Sequence, residues 1–140
     1  MATAQQQPAT DAELVDALAR RRLRLLPLPS QSFTVHDVYI FNSDPSKLYD
    51  EYGGATSSSG CVYFFCDQFT YHDGWKVAAG TEPVMDAGGA KVGTKDTLVF
   101  HEGRWLPRKR WTMDEFEASY QEGFDISRWL RLYRLRRLDG

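Results

Sequence analysis

Long apolar runs are missing from this chain of 140 residues. Nothing in it approaches the roughly 20 consecutive apolar residues that a bilayer crossing needs. The opening stretch from Met1 to Thr10 is polar and Gln-rich, without the apolar centre of a secretion signal, so no membrane partner is expected. An excess of charge of one sign is missing too: 17 Lys and Arg against 19 Asp and Glu leave a net charge of -2. That excludes coating of nucleic acid by bulk positive charge, and any such site must be a local patch. Cysteine is scarce. Cys61 and Cys66 lie five residues apart in the strand-like run Cys61-Val-Tyr-Phe-Phe-Cys66. An odd offset on a regular strand sends the two side chains to opposite faces, so neither a disulfide nor shared metal ligation is expected, only two reduced thiols in an intracellular core.

Histidine is almost as sparse. His36, His72 and His101 stand 36 and 29 residues apart, without partners at a recognised ligand spacing. A zinc site on Cys61, Cys66 and His101 would need a fourth ligand, and position 103 is Gly103. Also lacking are a phosphate-cradling glycine loop, a Gly-x-Ser-x-Gly elbow and a paired-histidine motif. The close acids Asp114, Glu115 and Glu117 fit a strand that carries Asp114 outward and Glu115 near a core end. The expectation is therefore a protein that is not an enzyme, with no cofactor, metal or small-molecule substrate.

What is present is enough apolar material, 42% hydrophobic and 14% aromatic residues, for one packed core. One domain over residues 10–138 is expected, with a disordered segment over 1–9. Thr10-Asp-Ala-Glu13 has capping-box spacing and predicts a helix with Leu14, Ala17 and Leu18 on its apolar stripe. Arg20, Arg21, Arg22 and Arg24 crowd its carbonyl end, where cations suit the dipole, and Pro27 and Pro29 stop it. The same arginine run has the composition of a nuclear-import signal. Phe33 to Phe41 reads as a strand, Asn42-Ser-Asp-Pro45 as a turn and Gly53 to Gly60 as a mobile loop.

Beyond Gly60 the helical period disappears. Short aromatic or β-branched runs over Cys61 to Phe65, Trp75 to Ala78, Lys95 to His101, Arg110 to Phe116 and Trp129 to Leu135 are separated by Gly and Pro signals such as Gly74, Gly80, Pro83 and Pro107. Strands at that spacing predict a mostly antiparallel sheet. Leu98 and Phe100 share one face while Thr97 and Val99 share the other, which marks a strand covered on both sides.

Two basic clusters stand out. Arg104-Trp-Leu-Pro-Arg-Lys-Arg110 holds four cations in seven positions without an acid, and Arg128 to Arg137 holds five arginines without one. Cations around an aromatic on a sheet rim can neutralise phosphates, though solvated strand faces and charged sheet edges have the same composition. The charge is unevenly divided. Residues 1–70 carry five basic and eight acidic groups, net -3, while residues 71–140 carry twelve and eleven, net +1.

Taken in order, these segments resemble the NAC domain, the DNA-binding domain of a large class of plant transcription factors. Thr10-Asp-Ala-Glu-Leu-Val15 is similar to the family's Pro-Thr-Asp-Glu-Glu-Leu. Asp37-Val-Tyr39 with Asp44-Pro45 and Leu48 resembles its Asp-Leu-Tyr, Asp-Pro-Trp and Leu pattern, Val62-Tyr-Phe-Phe65 its Trp-Tyr-Phe-Phe, and Gly74-Trp-Lys76 its Gly-Tyr-Trp-Lys. Val92-Gly-Thr-Lys-Asp-Thr-Leu-Val-Phe100 with Glu102-Gly-Arg104 is similar to Val-Gly-x-Lys-Lys-Thr-Leu-Val-Phe-Tyr-x-Gly-Arg. Trp111-Thr-Met-Asp-Glu-Phe116 and Leu132-Tyr-Arg-Leu135, the latter followed by Arg136-Arg137, resemble the closing motifs.

The resemblance implies an α+β, mostly β fold: a twisted antiparallel β-sheet flanked by short helices. It further implies a nuclear protein acting in transcription, with double-stranded DNA as partner and Lys76 nearest the bases. Lys95, Arg104, Arg108, Lys109 and Arg110 would be phosphate contacts, and dimerisation as a homodimer or with other NAC proteins would place Glu13 at the interface.

Departures from the pattern fall where DNA contacts are expected. The family's opening Leu-Pro-x-Gly-Phe-Arg-Phe is absent, removing a pairing strand and the arginine that would face Glu13. A long basic segment before the Trp-Lys motif is reduced to Cys66-Asp-Gln-Phe-Thr-Tyr-His-Asp73, which has no Lys or Arg. Glu82 stands where the family has Lys, and Asp96 replaces the second Lys of a pair. Each lost phosphate contact lowers the salt slope of binding by about 0.9. Weakened DNA affinity is expected, or an interaction module that pairs with full-length family members and modulates them.

Overall fold

The computed structural model describes residues 9–41, 43–53, 60–67, 74–100, 111–119 and 129–137. Its first element, α1 (Asp11–Arg22), starts where the capping box predicts: Glu13 N–H donates to Thr10 Oγ1 (3.1 Å) and Thr10 N–H donates to Glu13 Oε1 (2.9 Å). It ends well before Pro27. Leu23 caps it, and Arg24 turns the chain away at φ 56°.

Strand β1 (Val35–Asp37) is much shorter than the run from Phe33 to Phe41 suggested. It pairs in parallel with β2 (Cys61–Asp67), after which the chain leaves the sheet so that Ile40 and Phe41 enter the core beneath the opposite face. A second helix, α2 (Pro45–Tyr52), occupies part of what the sequence suggested as a turn. Asp44 Oδ1 accepts from Ser46 N–H (2.8 Å), and Pro45 sits in the first helical turn, where its missing N–H is not needed.

The remaining strands are β3 (Trp75–Met85), β4 (Lys91–Phe100), β5 (Trp111–Ala118) and β6 (Leu130–Arg137). The six strands of the described residues form one sheet in the order β1-β2-β6-β5-β4-β3, antiparallel at every step except β1–β2. The α+β, mostly β architecture holds, with one parallel edge pair added to the antiparallel sheet. Strand β3 continues through Gly80 and Pro83, which suggest a break, but its register with β4 shifts between Val77 and Ala79 and again between Ala79 and Glu82, so the chain bulges around Gly80 instead of ending there. As the outermost strand β3 has no neighbour on its far side among the described residues, so a residue without an N–H is tolerated there.

Both faces of the sheet are covered. Val62, Phe64 and Cys66 of β2 join Met113, Tyr133 and Leu135 under α2 and the segment around Ile40. Cys61, Tyr63 and Phe65 face the other way, where Phe116 and Leu132 pack against Leu14, Val15, Ala17 and Leu18 of α1. The two cysteines are therefore on opposite faces, as their odd spacing predicts. Helix α1 lies close over the sheet at Gly93, where a Cβ would strike the Glu117 carbonyl and the Val15 side chain.

Candidate nucleic-acid interface

Strand β3 is anchored at its start and open along its length. Trp75 is buried and packs on Phe100, with ring centroids 5.1 Å apart. Gly74 precedes it at φ 103°, and a Cβ there would run into the Phe100 ring, so a glycine is required for this stacking. Alternation along the strand then sends Lys76 to the opposite side from Trp75, and residues 76–83 are all exposed. Lys76 has no acidic partner among the described residues. It stands opposite Val99, which stands opposite Thr112, which stands opposite Arg136. Residues in register share a face, so Lys76 and Arg136 end one row across four strands, with backbones about 14 Å apart at the usual strand spacing.

Arg104, Arg108, Lys109 and Arg110 lie outside the described residues. The strand ends that bracket them, Phe100 and Trp111, are paired with each other, and Phe100 is paired with Trp75. Phe100 and Trp111, the described residues on either side of that segment in the sequence, thus both stand at the Trp75-Lys76 end of β3.

Lys95 has different surroundings from those expected of a phosphate contact. Its side chain is 20% exposed, and its ammonium lies 2.9 Å from Asp11 Oδ2 and 3.7 Å from Glu82 Oε2. Asp11 also accepts from Arg134 (3.0 Å), which in turn reaches Asp114 (2.7 Å), and Arg136 Nε lies 3.1 Å from the same carboxylate. Thr97 donates its hydroxyl to Asp114, and the Arg134 guanidinium lies over the Phe116 ring. Asp114, expected to point outward, is instead 1% exposed under α1, where two arginines and a hydroxyl offset the cost of burying its charge.

This chain of charges, Lys95–Asp11–Arg134–Asp114–Arg136, ties the first turn of α1 to β4, β5 and β6. Burial alone would raise the Asp11 carboxyl; the hydrogen bond from Lys95 and the charge of Arg134 outweigh it and hold the group below its ordinary range. Burial alone would lower Arg134, and attraction to Asp114 and Asp11 more than offsets it. The arginine run from Arg128 to Arg137 fits rim charges equally well, and the partners of Arg134 lie 20 and 123 residues away, beyond any local spacing rule.

Glu13, expected at a dimer interface, spends its carboxylate on the N-terminus of its own helix. The cations at the other end of α1 are also engaged: Arg20 with Asp16 (3.2 Å), Arg21 with Asp37 (2.8 Å) and Arg22 with the Leu130 carbonyl (2.7 Å).

Comparison with known proteins agrees with this architecture. The family model described as "No apical meristem (NAM) protein" matches residues 6–118. NAC domain-containing protein 13 of Arabidopsis thaliana is 30% identical over 148 residues, covering 94% of this chain and 27% of that protein. NAC domain-containing protein 89 of the same plant is 31% identical over 121 residues, covering 76% of this chain and 34% of that protein. The chain thus spans about a third or less of the length of these relatives, and with a family match over most of its residues it belongs to the NAM/NAC domain family.

Proposed function

We propose that this chain is a duplex-DNA-binding domain acting in regulation of transcription in the nucleus, with β3 as the edge that enters the major groove and Lys76 as the side chain nearest the bases. A β-ribbon fits that groove, and base edges there carry the sequence code. The observation that carries the reading is a buried Trp75 followed at once by an exposed Lys76 without an acidic partner among the described residues, on the outermost strand of the sheet. Arg104, Arg108, Lys109 and Arg110 are its phosphate contacts, joined to the same sheet end through Phe100 and Trp111. Such contacts set register and affinity, while the groove contact sets sequence preference. Lys95, held by Asp11 and Glu82, supplies little of this attraction, and DNA affinity is correspondingly low. No catalytic step, cofactor or metal is part of this function.

The neutralised Lys95 also favours a second reading, an interaction module that pairs with other NAC proteins and has given up DNA. A duplex-binding titration over a series of salt concentrations separates the two. For a DNA-binding domain, affinity falls steeply with salt, and Lys76→Ala lowers binding to a duplex selected from a random pool by about tenfold more than binding to an unselected one. Equal loss on both duplexes overturns the groove role of Lys76. Absence of duplex binding even at about 50 mM salt, with co-migration beside a full-length relative, decides for the interaction module.

A further inference from the structure

The β3–β4 hairpin that carries Lys76 is electrically balanced. Between residues 75 and 100 it has three lysines, Lys76, Lys91 and Lys95, and three acids, Glu82, Asp86 and Asp96, for a net charge of zero. Two of the acids have structural work. Asp86 Oδ1 accepts from Gly88 and Ala90 N–H, both at 2.9 Å, and closes the turn at the hairpin tip. Asp96 accepts the Thr81 hydroxyl across the two strands. Glu82 differs: its side chain is 64% exposed, and among the described residues its only contact of this kind is with Lys95, 3.7 Å away and directly opposite in register. Asp11 already holds the same ammonium from the closer distance of 2.9 Å. An exposed ion pair of that length contributes little to folding.

We propose that Glu82 sets the DNA affinity of this domain by occupying the open side of Lys95. The inference rests on the DNA-binding reading above and adds to it the residue that holds affinity down. Lys76 stands opposite Val99, four residues along β4 from Lys95, and an even offset puts both lysines on one face, about 13 Å apart along the strand. A duplex lying against Lys76 can therefore bring a phosphate toward Lys95. That phosphate meets Glu82 within the screening length of about 8 Å, so the attraction of the ammonium is cancelled where it would act.

Glu82→Gln and Glu82→Lys in the full chain test this, with a labelled duplex of unselected sequence titrated across a salt series. Wild-type binding with a slope steepened by up to about 0.9 in Glu82→Gln, and by up to about 1.8 in Glu82→Lys, is the expected result. Affinity at low salt rises several-fold in the first and more in the second, while thermal melting is unchanged. Asp50→Asn makes the same change of net charge on α2, across the sheet from Lys95, and is expected to leave the slope alone. Equal tightening by Asp50→Asn makes the gain a bulk-charge effect and overturns the proposal. Duplex binding by wild type that Glu82→Gln leaves unchanged also overturns it, while the role of Lys76 stands. Failure of all three chains, wild type and both Glu82 variants, to bind any duplex overturns the proposal and the DNA-binding reading together.

Discussion

Replacing Asp114 by asparagine removes the charge at the centre of the network under α1 while keeping the side chain's size. The carboxylate is 1% exposed and lies 2.7 Å from Arg134, whose side chain is 13% exposed. Taking one partner from a buried ion pair costs about 3–5 kcal/mol, because the other charge stays out of water without compensation. Two features favour the lower end. Arg134 keeps Asp11 at 3.0 Å, and asparagine can still accept from the Thr97 hydroxyl. The Arg136 contact, on a side chain 38% exposed, adds no more than about 1 kcal/mol.

The expected loss is thus about 3 kcal/mol against a total of about 5–15 for a domain of this kind. At about 4 °C per kcal/mol it lowers the melting temperature by about 12 °C. Urea unfolding followed by fluorescence of the buried Trp75 and Trp111 measures it, with an unchanged denaturant slope as the check on two-state behaviour. Adding Arg134→Met to Asp114→Asn recovers part of the loss if the uncompensated guanidinium is its cause. A loss below about 1 kcal/mol in the single variant refutes the reasoning, since it would show that the buried charges are not what fastens α1 to the sheet.

Gly93→Ala forces β5 and Val15 to give way beneath α1 and is expected to cost about 1–3 kcal/mol in the same urea assay. Asp11 governs part of the acid limb of stability. Its folded carboxyl sits below the ordinary value of 3.8, so its contribution is complete above that value and is lost as pH falls toward and through the folded one. Wild type therefore loses more stability than Asp11→Asn between about pH 5 and pH 2, and parallel acid limbs by calorimetry would refute that role.

Local signals were enough where the physics is local. Thr10 and Glu13 close a box within one helical turn, so α1 begins where those four residues say. The odd offset of Cys61 and Cys66 determines opposite faces because the side-chain period of a strand is two. Asp44-Pro45 carried an equally local cap that also suits a turn, and α2 formed because Leu48 could be buried beneath the sheet. Phe33 to Phe41 has β propensity throughout. Only Val35–Asp37 pairs with a neighbour, since Ile40 and Phe41 bury more surface by crossing to the other layer.

The sequence by itself determined the layered β fold, the family and the motif that ends in Lys76, because periodicity, caps and ordered motifs are properties of neighbouring residues. Tertiary structure decided which charges are available. Lys95 and Lys76 look alike in the chain; one is met by Asp11 from a helix 84 residues away and by Glu82 from the adjoining strand, while the other stands at the sheet edge without an acid among the described residues. Electrostatic pairing depends on distance through space, and distance through space is set only when the sheet closes over α1.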